Sequence, residues 1–214
     1  MYYFLLILTA ILAYGIGSLS SLTISSMYVF KKNLRKLGKG NVWLSNFRRL
    51  YGIGGLLLLL LVEVIRDCIP IFIGGLLLLG KEHPDVGRAF AGFCLVMGRL
   101  FPVFYDLKGS HATICLIVMA FFIDPSVGAV TAVAAVGFLF LTKYFSVATV
   151  AAAVIATVTT ILTVENGKLI IIIMAVTAGA IIVKHIPSLR RVLNGQETRL
   201  SLENDLSYKF DEKI

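Results

Sequence analysis

MYYFLLILTAILAYGIGSLSSLTISSMYVF, residues 1–30, carries no charged side chain. A helix needs about 20 apolar residues to cross the hydrocarbon core of a bilayer, so this stretch can cross once. No basic residue precedes it, whereas Lys31, Lys32, Arg35 and Lys36 follow it. A cleaved secretory leader has the opposite order, so the segment reads as an uncleaved first span. The rest of the chain has the same character: 58% of its 214 residues are hydrophobic, 15% are charged and the mean hydropathy is +0.90. A soluble domain of this size does not carry so much apolar side chain. The fold class is therefore an all-α integral membrane protein.

Seven spans are expected, at 2–30, 52–80, 87–104, 111–123, 126–142, 146–163 and 168–184. Pro84, Pro102, Pro125 and the turn ENGK at 165–168 supply the breaks. The fourth span is too short for a full crossing, so its ends must lie inside the bundle or dip from the surface. Basic residues gather after the first span, around Lys108, around Lys143 and from Lys184 to Lys213. On the other side Lys81, Arg88 and Lys168 are offset by Glu82, Asp85, Asp124 and Glu165. The positive-inside rule then places the amino terminus outside and the carboxyl terminus in the cytoplasm. The chain divides into a polytopic membrane domain, 1–195, and a polar cytoplasmic tail, 196–214. Its net charge of +8 fits attraction to anionic membrane lipid better than binding of nucleic acid.

Charge also occurs at membrane depth. LLVEVIRDCIP, residues 60–70, holds Glu63, Arg66 and Asp67. Glu63 and Arg66 stand three apart on one helix face and can pair. A charge there costs about 2.5–3.5 kcal/mol on insertion scales. It serves either as a structural ion pair or as the wall of a substrate site. YGIGSLSS (14–21) and AVTAVAAVG (129–137) are runs of small residues that let helices approach closely, and Gly15 and Gly17 are given that packing role. Cys68, Cys94 and Cys115 show no metal or redox spacing and read as buried packing residues.

Three polar segments fall on the cytoplasmic face: Arg35 to Arg49, GRLFPVFYDLKGSHAT (98–113) and VKHIPSLRRVLNGQETRL (183–200). Lys108 to His111 precede a helix start, where backbone N–H groups and a nearby lysine suit an anion. GKGN (38–41) alone lacks the Walker spacing. His185 reads equally as a substrate-binding histidine or as one satisfied by backbone at the interface. Glu197 is expected to tie the tail to the basic loops, and His83 to be solvated on the outer loop.

In their order, these segments resemble the acyl-phosphate-dependent glycerol-3-phosphate acyltransferases of bacteria, the PlsY-like family. YGIGS is similar to the family's first-span G-S signature at Gly17 and Ser18. RKLGKGNVWLSNFRRLYG lies over R-x-x-G-S-G-N-x-G-A-T-N-x-x-R and keeps Arg35, Gly38, Gly40, Asn41, Asn46 and Arg49. VEVIRDCIP resembles D-x-x-K-G-x-x-P, and MGRLFPVFYDLKGSHAT resembles G-H-x-F-P-V-F-x-x-F-K-G-G-K-G-V-A-T. TKYFSVAT is similar to R-Y-x-S-L-A-S, and KHIPSLRRVLNGQET to R-H-x-x-N-I-x-R-L-x-x-G-x-E. Six partial matches in one order are jointly specific where no single one is.

The resemblance implies transfer of a fatty acyl group from acyl phosphate to glycerol 3-phosphate, giving lysophosphatidic acid. Acyl phosphate is already an activated anhydride, so neither cofactor nor metal is called for. It also implies that His185, Asn41 and Ser45 act in catalysis. Arg35, Gly38, Lys39, Gly40, Asn46, Arg49, Lys108, Gly109, Ser110, His111 and Arg191 would bind substrate phosphate. The implied setting is a monomer, multi-pass in the bacterial plasma membrane. Several positions depart from the pattern: Lys39 for serine, Trp43 and Leu44 for Gly-Ala, Arg99 for histidine, and KGSHA for K-G-G-K-G. A relative that binds phosphorylated lipid precursors without catalysis, or a small-solute transporter, are the alternative readings.

Overall fold

The computed structural model describes residues 2–19, 44–79, 83–105, 109, 111–165 and 167–197. Among them are seven α-helices and no strand. They are α1 (Tyr2–Ser18), α2 (Leu44–Leu79), α3 (Pro84–Leu100), α4 (Thr113–Ile123), α5 (Pro125–Thr142), α6 (Phe145–Thr163) and α7 (Lys168–Leu193). A short 3-10 turn, Val103–Tyr105, follows α3. Contacts divide the chain into two units, Met1–Leu19 with Val64–Thr198, and Ser20–Glu63 with Arg199–Ile214.

In the second unit the described part is the beginning of α2, up to Glu63. The helix bends at Gly52, whose φ of 69° and ψ of −169° lie outside helical space, in a region that only glycine occupies readily. The apolar segment therefore starts at 53, and α2 extends back to Leu44 where the sequence suggested a start at 52. Glu63 is buried.

The first unit is a helical bundle. α1 lies on α3, α3 also meets α4 and α7, α4 meets α5 and α6, and α6 packs between α5 and α7. Leu95, Val96, Leu100, Leu116, Met119, Met174 and Ile181 are wholly buried at its centre. Backbones touch where glycine permits: a Cβ on Gly17 would lie 2.2 Å from the Leu95 carbonyl oxygen, and one on Gly98 would lie 2.3 Å from that of Tyr14. Gly17 thus has the packing role expected of it. Gly15 does not, because a Cβ there meets nothing within 4 Å. Two positions, about 200° of helix rotation, separate a contact face from an open one.

α5, α6 and α7 are long and apolar enough to cross a membrane; their 18, 19 and 26 residues rise about 27, 28 and 39 Å. Leu141 and Leu162, on α5 and α6, are 82% and 76% exposed, as suits a surface solvated by lipid rather than water. Threonines in these helices turn their hydroxyls back on the chain: Thr131 donates to Val127 O, Thr160 to Ala156 O and Thr177 to Ile173 O. That satisfies the hydroxyl without a partner helix.

α4, with 11 residues, rises only about 16 Å, matching the short fourth span. α3 ends at Leu100, earlier than the expected 104, because Phe101 leaves helical space (φ −132°, ψ 64°) ahead of Pro102, and a residue before proline disfavours the helical region. α7 runs past the expected end at 184, through Pro187, to Leu193. It stops at Gly195, whose φ of 67° reverses the chain while Gln196 N–H caps the Arg191 carbonyl.

Candidate active site

The polar end of the first unit is organised around the last turn of α3. Tyr14, from α1, donates its hydroxyl to Phe101 O at 2.6 Å. The Lys184 ammonium, from α7, stands 4.6 Å above the Phe101 ring, within cation–π range. Gly109 returns the loop onto the same place: a Cβ there would lie 2.2 Å from Leu100 O and 2.3 Å from Arg99 O. A side chain at 109 is therefore excluded by backbone. Arg99 itself is only 5% exposed.

Two residues beyond Gly109, the His111 ring lies 5.1 Å from that of His185, centroid to centroid, and 5.8 Å edge-on from Phe145 of α6. Burial, then the neighbouring His185, then the Arg99 charge lower the proton affinity of His111, pushing its pKa down to about 3. His111 is uncharged at neutral pH. His185 is 4% exposed, and its Nδ1 lies 2.8 Å from Ile181 O. A carbonyl only accepts, so Nδ1 carries the hydrogen and Nε2 of the neutral ring holds the lone pair. Beside this pair Thr113 and Thr149 share a hydrogen bond of 2.6 Å between α4 and α6. The Ser18 and Ser146 hydroxyls are buried and without a hydrogen-bond partner among the described residues.

Deeper in, Asp67 is fully buried and accepts from both Arg66 and Cys115. Arg66 Nε reaches Oδ1 at 2.9 Å, and Cys115 Sγ donates to Oδ2 at 3.0 Å. Arg66 Nη1 also donates to Leu19 O at 2.6 Å. The network thus joins the end of α1, the middle of α2 and the first turn of α4. Of the two roles open to the intramembrane charges, this geometry shows the structural one for Arg66 and Asp67.

The expected site residues distribute unevenly. His111 and His185 come together, with Gly109 at the edge of their loop. Arg191, expected to hold phosphate, donates to Glu197 Oε2 at 2.7 Å and to Ser188 Oγ at 2.8 Å and is half exposed. Glu197 thereby folds back on α7. Ser45, Asn46 and Arg49 lie on the first segment of α2. Arg35, Gly38, Lys39, Gly40, Asn41, Lys108 and Ser110 lie outside the described residues. His83 is exposed before α3, as expected. Thr149 and the hydrogen bond from Cys115 to Asp67 were not foreseen; each contact spans more than 30 positions.

Solved structures and curated proteins match the chain along nearly its whole length. The crystal structure of PlsY (YgiH), an integral membrane glycerol 3-phosphate acyltransferase, in its glycerol 3-phosphate form, superposes with a TM-score of 0.72 at 23% identity, covering 96% of this chain and 98% of that one. That likeness shows the fold. A glycerol-3-phosphate acyltransferase of Thermoanaerobacter pseudethanolicus is 26% identical over 200 residues, 94% of this chain and 98% of the relative. Glycerol-3-phosphate acyltransferase 2 of Bacillus anthracis is 28% identical over 91% of this chain and 98% of its own. A glycerol-3-phosphate acyltransferase of Enterococcus faecalis is 29% identical over 92% of each. The family model described as glycerol-3-phosphate acyltransferase matches residues 7–195, and the chain belongs to that family.

Proposed function

We propose that the chain transfers a fatty acyl group from acyl phosphate to the 1-hydroxyl of glycerol 3-phosphate. The hydroxyl oxygen attacks the acyl carbonyl carbon, the carbon–oxygen bond to phosphate breaks, and lysophosphatidic acid and inorganic phosphate leave. Family membership supports the reaction class, and the buried His185–His111 pair carries the assignment of the site. His185, with Nδ1–H spent on Ile181 O, offers Nε2 to the hydroxyl proton. His111 contributes an uncharged ring beside it. Water is kept out by burial at the start of α4, and the two substrates are held close together, which is the larger part of such catalysis. Asn41 and Ser45 orient the reacting groups in this reading. Arg35, Gly38, Lys39, Gly40, Asn46, Arg49, Lys108, Ser110 and Arg191 gather the phosphates, and the acyl chain lies among apolar helices.

The protein works as a monomer in the bacterial plasma membrane. It crosses seven times, with the amino terminus outside and the tail 196–214 in the cytoplasm. The uneven distribution of basic residues supports that orientation. Purified protein in detergent, given acyl phosphate and glycerol 3-phosphate, releases phosphate and forms lysophosphatidic acid. No release, while a PlsY enzyme is active in the same detergent, overturns the assignment.

A further inference from the structure

We propose that Phe101, the residue that follows α3, is a positioning residue for the acyl transfer: it holds Lys184 on its ring and so sets His185 against His111. The assignment rests on the acyltransferase reading and adds to its site a residue that acts through the histidine pair.

Phe101 joins four parts of the first unit. Its N–H donates to Met97 O at 2.9 Å and closes α3. Its carbonyl accepts the Tyr14 hydroxyl of α1 at 2.6 Å. Its ring packs partly buried against the core and lies with its centroid 4.6 Å from the Lys184 ammonium of α7. The two carbonyls before it, of Arg99 and Leu100, are the ones on which Gly109 sits, two positions ahead of His111. Pro102 narrows the backbone freedom of Phe101 further. Held in this way, the ring presents one fixed face to α7.

The turn of α7 that carries His185 needs an outside hold. Pro187 has no N–H to give Val183 O, so the helix lacks one of its own hydrogen bonds there. Lys184 and His185 are neighbours whose side chains leave the helix about 100° apart. A grip on residue 184 therefore resists both rotation and sliding of residue 185. His111 and His185 have ring centroids 5.1 Å apart, and the supports of both meet at Phe101: Gly109 for the loop, Lys184 for the helix. A cation over an aromatic face is held by the ring quadrupole. The contact is weak, but a shift of about 1 Å at a reacting group can cost on the order of a hundredfold in rate. Its loss should thus tell on turnover far more than on substrate affinity.

The test is kcat and KM for glycerol 3-phosphate, with its Kd by calorimetry, on the full chain in detergent. Phe101→Leu stays apolar and removes the aromatic face; Lys184→Met keeps the stem and removes the charge. Each is expected to lower kcat about tenfold or more while the Kd stays within about twofold. The double variant is expected to be no slower than the worse single one, because both remove the same contact. Lys184→Arg, whose guanidinium also stacks on an aromatic face, is expected to recover most of the turnover. Folded variants with the parental kcat overturn the proposal, even where they melt at a lower temperature. Losses that add up in the double variant overturn it too. So does a Lys184→Met that binds glycerol 3-phosphate more weakly with kcat unchanged, since Lys184 would then be a phosphate ligand. If Phe101→Leu does not fold, a parental kcat in Lys184→Met is enough to overturn it. These outcomes in an active parent leave the acyltransferase reading standing. A parent chain that forms no lysophosphatidic acid overturns that reading, and the proposal with it.

Discussion

Cys115 Sγ donates to Asp67 Oδ2 at 3.0 Å, across 48 positions of sequence. A thiol is a weak donor, yet here it serves a carboxylate with no exposure to solvent, whose other oxygen is taken by Arg66. The buried pair and its thiol hold three helices at the depth where α4 begins.

Asp67→Ala leaves the partly buried Arg66 without its carboxylate, and a loss of about 3 kcal/mol is expected. Cys115→Ala removes one donor and should cost about 1 kcal/mol. Thermal unfolding in detergent checks both. A smaller loss for Asp67→Ala than for Cys115→Ala would show that the ion pair does not brace the bundle.

The glycines divide sharply. Gly109→Ala and Gly98→Ala drive a methyl group into backbone oxygens, so each should lower both stability and turnover. Gly15→Ala and Gly137→Ala meet nothing within 4 Å and should be neutral or stabilising by about 0.5–1 kcal/mol, as alanine is the better helix former. Melting temperatures of the four variants, measured side by side, decide the matter.

His111 makes stability depend on pH. Its folded pKa, about 3, lies below the unfolded value of 6.5. Below pH 6.5 the unfolded chain takes up a proton that the folded chain refuses until pH nears 3. The stability is therefore complete above 6.5 and is lost as pH falls, by about 2–3 kcal/mol near pH 4.5. His185 from α7, Arg99 from α3 and Phe145 from α6 are among the groups acting on the ring. His111→Gln should flatten this acid limb; an unchanged limb means that other groups set it.

His185→Asn keeps a donor for Ile181 O and removes the ring lone pair. Turnover should fall about a hundredfold or more, while the Kd for glycerol 3-phosphate changes little. Full activity in this variant would leave the substrate's own phosphate as the proton acceptor.

The membrane helices were legible in the sequence because hydrocarbon demands long apolar runs and proline marks their ends. Pro125 opens α5 and Pro84 opens α3, at or near the expected breaks. The last helix was drawn too short: α7 continues past the expected end at 184 and through Pro187, since a proline removes one hydrogen bond without having to end a helix. His111 and His185 were legible as candidates from their place before a helix and in a basic segment. Their contact was not, since 74 residues separate them and only the packing of α3 against α4 and α7 brings them together. The Asp67–Cys115 bond was illegible for the same reason. A cysteine in an apolar run gives no sign of the carboxylate it will meet. Arg99 was visible as a cation but not as a buried one, because burial depends on how segments distant in sequence pack.

His185 belongs to α7, the last of the described helices, and faces His111, whereas Tyr14 belongs to the first and reaches the end of α3. A ribosome releases these parts in order. A chain halted before α7 holds α1, α3 and the His111 loop but lacks the imidazole that faces it. The His111–His185 pair therefore forms only once synthesis has passed residue 185.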